Sequence, residues 1–318
     1  MVLILKSIQM LTELFLKFHN NSFLYNREKI NNKTSIMLGA ITGDTIGSRF
    51  EFRSNKSAVF ELFGPGCHYT DDSVMTMAVA EWLMNDPTRS HAVLEKKMVE
   101  LAESATGIGY GHIFLRWLFF PEALFKDGKR RPYNSFGNGS AMRVSAVGWM
   151  FDSLEETERV AELSASITHN HPEGIKGAQA TAAAIFLART GENKEEIRNY
   201  ISRKYNYDLD RTCDDIRPNY NFEVSCQKSV PEAIIAFLDS KDYETAIRLA
   251  VSLGGDADTQ ACITGGIAEA YYGMPDEIIT SMANHLPQDY KTNILRLAET
   301  SAYRIRMEQI KRCWGKGK

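Results

Sequence analysis

Cysteine is scarce and unpatterned in this chain of 318 residues. Cys67, Cys213, Cys226, Cys262 and Cys313 are scattered, odd in number, and form no CxxC. That argues against a zinc finger or a disulfide framework and fits a reducing cytoplasm. A lone Cys213–Cys226 bridge stays open. Basic charge is not in excess either: the net charge is −3, without the electrostatic footprint of a nucleic-acid binder. Runs that alternate polar and apolar residues are scarce, so no sheet is expected. Nucleophile signals are absent, because no GxSxG occurs. "GNGS" at 137–140 is not followed by Lys-Ser/Thr, so it is no P-loop.

A long uninterrupted hydrophobic run is also missing. The most apolar stretch, "MVLILKSIQMLTELFLKF", is broken by Lys6, Thr12, Glu13 and Lys17. It is too short and too charged to span a bilayer, and no small-residue cleavage site follows it. Read as a helix, it carries Ile4, Ile8, Leu11, Phe15 and Phe18 on one stripe. A polar, Asn-rich linker follows. Residues 1–35 therefore read as an amphipathic extension and linker, packed on the domain, on a second copy or on a partner protein.

What the chain does have is helix-forming sequence, from residue 36 onward. "SVMTMAVAEWLM" spaces Val74, Ala78 and Trp82 at four-residue steps. "EETERVAELSASI" and "GIKGAQATAAAIFLAR" are rich in strong helix formers. The expectation is one all-α domain over 36–318. Residues 204–228 form the one long irregular stretch, a surface loop or a short hairpin.

Four stretches put Gly, Asp, Asn or Thr at helix boundaries. In "GAITGDTIGSRFE", Gly39, Gly43 and Gly47 recur every four residues. Each interior glycine costs about 1 kcal/mol against alanine, so a close backbone approach is the expected return. Asp44 and Glu51, judged on this stretch alone, read as solvated acids. In "HYTDDSVM", Thr70 reads as an N-cap with Asp71 and Asp72 in the first turn. In "NSFGNGSAMRV", a Gly-rich turn feeds a helix near Ser140, equally suited to a capped turn or to anion binding. In "SLGGDADTQACITGG", Asp256, Asp258 and Thr259 open another helix after a Gly-Gly break.

Two acidic helix starts are harder to explain as caps than one. If both face one point, they offer four carboxylates and two hydroxyls. Such hard oxygen ligands suit Mg²⁺ or Mn²⁺. Four acids meeting without a cation would repel, so the constellation predicts one metal ion or two. His169 and His171 in "THNHPEG" lack an acid or Cys to complete a metal set and read as a cap and a packed ring.

These stretches, in this order, resemble the ADP-ribosylglycohydrolase family over about residues 36–300; the first 35 lie outside the likeness. The resemblance implies a compact all-α fold with a binuclear Mg²⁺ or Mn²⁺ centre. It implies Thr70, Asp71, Asp72, Asp256, Asp258 and Thr259 as metal ligands, and Glu51 as a glutamate beside the metals that helps open or accept the substrate. Gly137, Asn138, Gly139 and Ser140 would line the diphosphate and distal ribose, with His169 near the same ligand. Ser73 stands where many relatives carry Thr. The activity implied is hydrolysis of the C1″ bond of an ADP-ribosyl group on a protein side chain, arginine first, or on a small derivative. Asp72 or Asp258 would take a proton from water. Some members are immunity proteins against ADP-ribosylating toxins, so a binding role through residues 1–35 is the alternative. A phosphohydrolase on the same metals is a third reading.

Overall fold

The computed structural model describes residues 37–105, 107–288, 290–292 and 294. In chain order the helices are α1 (Leu38–Gly47), α2 (Asp71–Asn85), α3 (His91–Ser104), α4 (His112–Phe119), α5 (Gly139–Met142), α6 (Ser145–Met150), α7 (Leu154–Ser166), α8 (Pro172–Thr190), α9 (Lys194–Tyr205), α10 (Cys213–Ile216), α11 (Cys226–Asp239), α12 (Tyr243–Ser252), α13 (Ala257–Tyr272) and α14 (Asp276–Ala283). Short 3₁₀ turns lie at Ser48–Phe50 and Pro121–Ala123. Among the described residues no strand occurs, only an isolated antiparallel bridge between Gly137 and Ser225. The amphipathic stretch Ile4–Phe18 and the end of the chain after 294 lie outside the described residues.

Side-chain caps fix several helix starts. Ser90, Ser153, Asn193 and Asp242 each accept from the backbone N–H three residues on. Each such cap contributes about 0.5–2 kcal/mol.

Helices α1 and α13 are buried on all sides, from Leu38 to Gly47 and from Ala257 to Ala270. Their sequences are small and apolar around the whole circumference, as an all-buried helix requires. The two pack more extensively on each other than any other pair. The glycine spacing explains it. A Cβ on Gly43 would lie 1.9 Å from the Ala261 carbonyl oxygen, and one on Gly47 2.4 Å from that of Ala257. No side chain fits, so the backbones touch. That crossing puts Asp44 of α1 beside the first turn of α13.

The turn into α13 needs a left-handed residue: Gly254 has φ 72°. Lys56 Nζ donates to the carbonyls of Leu253, at the end of α12, and Tyr220. It thereby binds the loop after Glu51 to the 204–228 segment. That segment is neither a hairpin nor a loop merely lying on the surface. Tyr205, Tyr207, Leu209, Cys213 and Ile216 are buried in it, so alternate apolar residues anchor it to the core. Cys213 and Cys226 are free thiols, not a bridge.

Candidate active site and metal centre

Two helix starts, those of α2 and α13, and one Gly-rich turn converge on a cavity of about 840 Å³. Hydrogen bonds between side chains and helix ends hold them together. Asp44, 0% exposed, accepts from the Thr70 N–H at 2.9 Å, the Thr70 hydroxyl at 2.7 Å, the Ser73 N–H at 3.1 Å and the Ser73 hydroxyl. It is therefore the acceptor that receives the start of α2. This corrects the expectation of a solvated Asp44: the crossing with α13 buries it, and the free N–H groups of a helix start supply its donors. Thr70 also caps α2, accepting from the Asp72 N–H at 3.3 Å. The Thr259 hydroxyl donates to both oxygens of Asp72, at 2.9 and 3.1 Å, and ties α13 to α2. Asn138 Nδ2 donates to Asp256 at 2.7 Å and ties in the Gly-rich turn.

Two sets of carboxylates result. Oxygens of Asp44, Asp72 and Asp258 lie within 4.8 Å of one another, as do oxygens of Glu51, Asp256 and Asp258. Asp258 belongs to both sets. Asp71 lines the same cavity but falls outside either set. Every one of the six acids is held above its usual pKa, and burial is the first cause for each. For Asp71, Asp72 and Asp258 the charges of the neighbouring acids follow. Half-buried Glu51 is pushed up to about 7, by burial and then by Asp256 and Asp44. Among the described residues no lysine or arginine pairs with any of the six. A buried set of hard oxygens with no protein counter-charge fits divalent cations such as Mg²⁺ or Mn²⁺.

Gly137, Asn138, Gly139, Tyr133, Arg143 and His169 line the same cavity. Ser140 is not among the lining residues. Its buried hydroxyl donates to the Gly174 carbonyl at 2.6 Å and fastens the turn to α8. The two histidines of HxH part company. His171 caps α8, accepting from the Glu173 N–H at 3.1 Å, and packs edge-on to Phe136 at 5.5 Å. His169 turns into the cavity instead.

Several cavity residues went unread in the sequence. Asp44 is one. The loop 107–113, whose Gly107, Gly109 and Gly111 punctuate "GIGYGHI", lines the cavity, as do Phe52 and Phe222. The glycine run was a visible turn signal. The Phe52–Phe222 pairing was not visible, because it spans the fold.

Comparison with known proteins agrees with this geometry. The ADP-ribosylglycohydrolase family model matches residues 28–312. Human ADP-ribosylhydrolase ARH3 is 27% identical over 331 residues, which covers 81% of this chain and 90% of that protein. The ADP-ribosylarginine hydrolase Tri1 of Pseudomonas putida is 25% identical over 273 residues, covering 78% and 73%. A solved structure described as an ADP-ribosylglycohydrolase-related protein complex superposes with a TM-score of 0.67 at 23% identity, over 88% of this chain and 100% of that one; this likeness concerns the fold. The match across nearly all the described residues, on a helical frame that gathers its acids at helix starts, makes this chain a member of the ADP-ribosylglycohydrolase family.

Proposed function

We propose that the protein is a divalent-metal-dependent hydrolase that releases ADP-ribose from modified side chains, arginine first, by cleaving the bond at C1″. The observation that carries this reading is the double carboxylate set sharing Asp258, in one cavity with a Gly-rich turn whose Asn138 donates to Asp256. Asp71, Asp72, Asp256 and Asp258, with the hydroxyls of Thr70 and Thr259, would hold two Mg²⁺ ions, and Mn²⁺ suits the same donors. When bound, such ions lower the pKa of water and fix neighbouring hydroxyls.

The protein groups then divide the work. The C1″–N bond breaks with its electron pair going to the guanidine nitrogen, which needs a proton. The water oxygen that bonds to C1″ gives one up. Glu51 is placed to move that proton. It stands on the cavity wall with its pKa raised to about 7, near the range where a carboxyl both gives and takes. Cations that offset Asp256 remove one cause of that rise; burial, the first cause, persists. The charge of Asp72 and Asp258 would stabilise the oxocarbenium character that develops at C1″. Gly137, Asn138, Gly139 and His169 receive the rest of the ADP-ribosyl group.

Arginine as the linked residue is supported at the cavity mouth. Phe52 is 80% exposed and Phe222 49%, and their ring centroids are 5.7 Å apart. Exposed aromatic faces hold a planar guanidinium well. The Pseudomonas relative also carries arginine in its name.

The test offers ADP-ribosyl-arginine, ADP-ribosyl-serine and ADP-ribose-1″-phosphate, each with Mg²⁺, Mn²⁺ or EDTA, and measures free ADP-ribose. Release from the arginine conjugate that EDTA stops is expected. Release that persists in EDTA sinks the metal reading, and preference for the serine conjugate sinks the arginine one.

A further inference from the structure

Behind the Gly137–Gly139 turn runs a short chain of hydrogen bonds that begins on a buried cation. Arg143 is fully buried. Its Nη2 donates to the Ser164 carbonyl at 3.0 Å and to the Thr168 hydroxyl oxygen at 2.9 Å. A guanidinium can only donate, so that oxygen is an acceptor here. The Thr168 hydroxyl has one hydrogen of its own to place. The acceptor in reach is His169 Nδ1, at 2.7 Å, and among the described residues no other group takes it.

The direction of the chain decides where the ring proton sits. With Nδ1 accepting, the proton of a neutral imidazole is on Nε2. The opposite tautomer would set the Thr168 oxygen between two donors and leave its own buried hydrogen without a partner. Burial and the Arg143 charge hold the ring neutral, well below the usual histidine range. Nε2 lies against the turn: a Cβ on Gly139 would come within 3.1 Å of it, and one on Gly137 within 3.6 Å. Among the described residues nothing accepts from Nε2, although His169 is only 5% exposed and lines the cavity. The donor has been aimed but not used.

We infer that Arg143 and Thr168 are positioning residues that lock His169 as the Nε2–H tautomer, so that the cavity presents a fixed, uncharged donor to an acceptor oxygen of the ADP-ribosyl group. The target of the donor rests on the proposed function; the lock does not, because it is a property of the ligand-free protein.

The experiment is a long-range ¹H–¹⁵N correlation of the histidine rings in the ligand-free protein, with Thr168→Val and Thr168→Ser beside the wild type. The wild type and Thr168→Ser should show His169 with one protonated nitrogen, Nε2. Thr168→Val keeps the shape, removes the hydroxyl and should show mixed tautomers. In titrations with ADP-ribose and Mg²⁺, Thr168→Val should bind about 5–10-fold more weakly and Thr168→Ser within about 2-fold, as expected for one lost hydrogen bond. The KM of the hydrolysis should rise with kcat little changed. A wild-type ring protonated on Nδ1, or a Thr168→Val spectrum identical to it, overturns the lock. If Thr168→Val fails to fold, the wild-type and Thr168→Ser spectra still decide. A wild type that shows the Nε2–H ring but binds no ADP-ribose overturns the proposed function and the donor's target, and upholds the lock.

Discussion

At one end of the cavity six carboxylates meet with no lysine or arginine among the described residues to pair with them, and all six are held above their usual pKa. Around the Gly-rich turn most polar groups are already engaged, Arg143 Nε and His169 Nε2 excepted. Arg143 is spent on Ser164 and Thr168, Ser140 on Gly174, and the Cys226 thiol on the Gly137 carbonyl at 3.0 Å. The first end is unfinished until positive charge arrives. The second is held in place by its own hydrogen bonds and presents the unused Nε2 of His169. Catalysis and binding therefore have different dependences in one pocket: the acidic end should respond to metal and pH, the turn end to shape and hydrogen bonding.

The hardest way to break that contrast is to remove the carboxylate both sets share. Asp258→Asn should lower turnover by about 10²–10³-fold, the scale seen when a preorganised electrostatic group is lost. It should also abolish any rise in melting temperature on adding Mg²⁺. A variant that keeps either property would show that the acidic end does not act as one metal site. The mutant should still fold, since one uncompensated charge has been taken out of a buried set.

Metal removal and pH form the next test, and the sign can be worked out. Glu51 has its pKa raised from 4.5 to about 7 in the folded protein, and Asp71, Asp72 and Asp258 are raised too. Between the unfolded and folded pKa values the folded chain holds more protons, so its stability falls as pH rises. In EDTA the melting temperature should be highest near pH 5 and drop towards pH 8. With saturating Mg²⁺ the drop should flatten, because an ion that binds only the folded state stabilises it by about 2.7 kcal/mol at 100 times its Kd. Melts that are flat in EDTA over this range would mean that the acids are compensated in some other way.

Gly43→Ala separates the frame from the charges. The added Cβ would meet the Ala261 carbonyl oxygen at 1.9 Å, and backbone cannot rotate away. Overpacking of this kind costs about 1–3 kcal/mol, read as a lower melting temperature. Because the α1–α13 crossing sets Asp44 against Asp258, Mg²⁺ affinity should weaken with it. The His169 ring spectrum, which belongs to the turn end, should not change.

Much of this was legible in the sequence. Strong helix formers gave the all-α frame, and the glycine spacing foretold a close crossing. The acids beside Thr70 and Thr259 were legible as one acidic cluster because residues at a helix start point past its end, whatever lies opposite. What escaped depended on the partner across the fold. Asp44 looked solvated, since nothing nearby in sequence reveals that the start of α2 supplies its donors. His169 and His171 looked alike, yet only the one before the helix cap faces the cavity. Ser140 sits in the Gly-rich turn but spends its hydroxyl on the Gly174 carbonyl of α8. The 204–228 segment hid its anchors, because Tyr207 and Leu209 alternate in the stretch between α9 and α10, without a regular element around them.

The smallest expected effect lies at the cavity rim, outside both ends. Phe52 follows Glu51 directly, and its ring lines the cavity with Phe222 beside it. A cation over an exposed aromatic face is worth about 0.5–1 kcal/mol. Phe52→Ala should therefore lower kcat/KM for the arginine conjugate by about 2–5-fold and leave the serine conjugate, which has no planar cation to stack, almost unchanged. Competition assays with both conjugates in one reaction read that ratio directly. An equal loss on both would mean that Phe52 acts by closing the mouth of the cavity rather than by recognising the linked residue. The choice of acceptor would then have to be sought deeper, between Glu51 and the 107–113 loop.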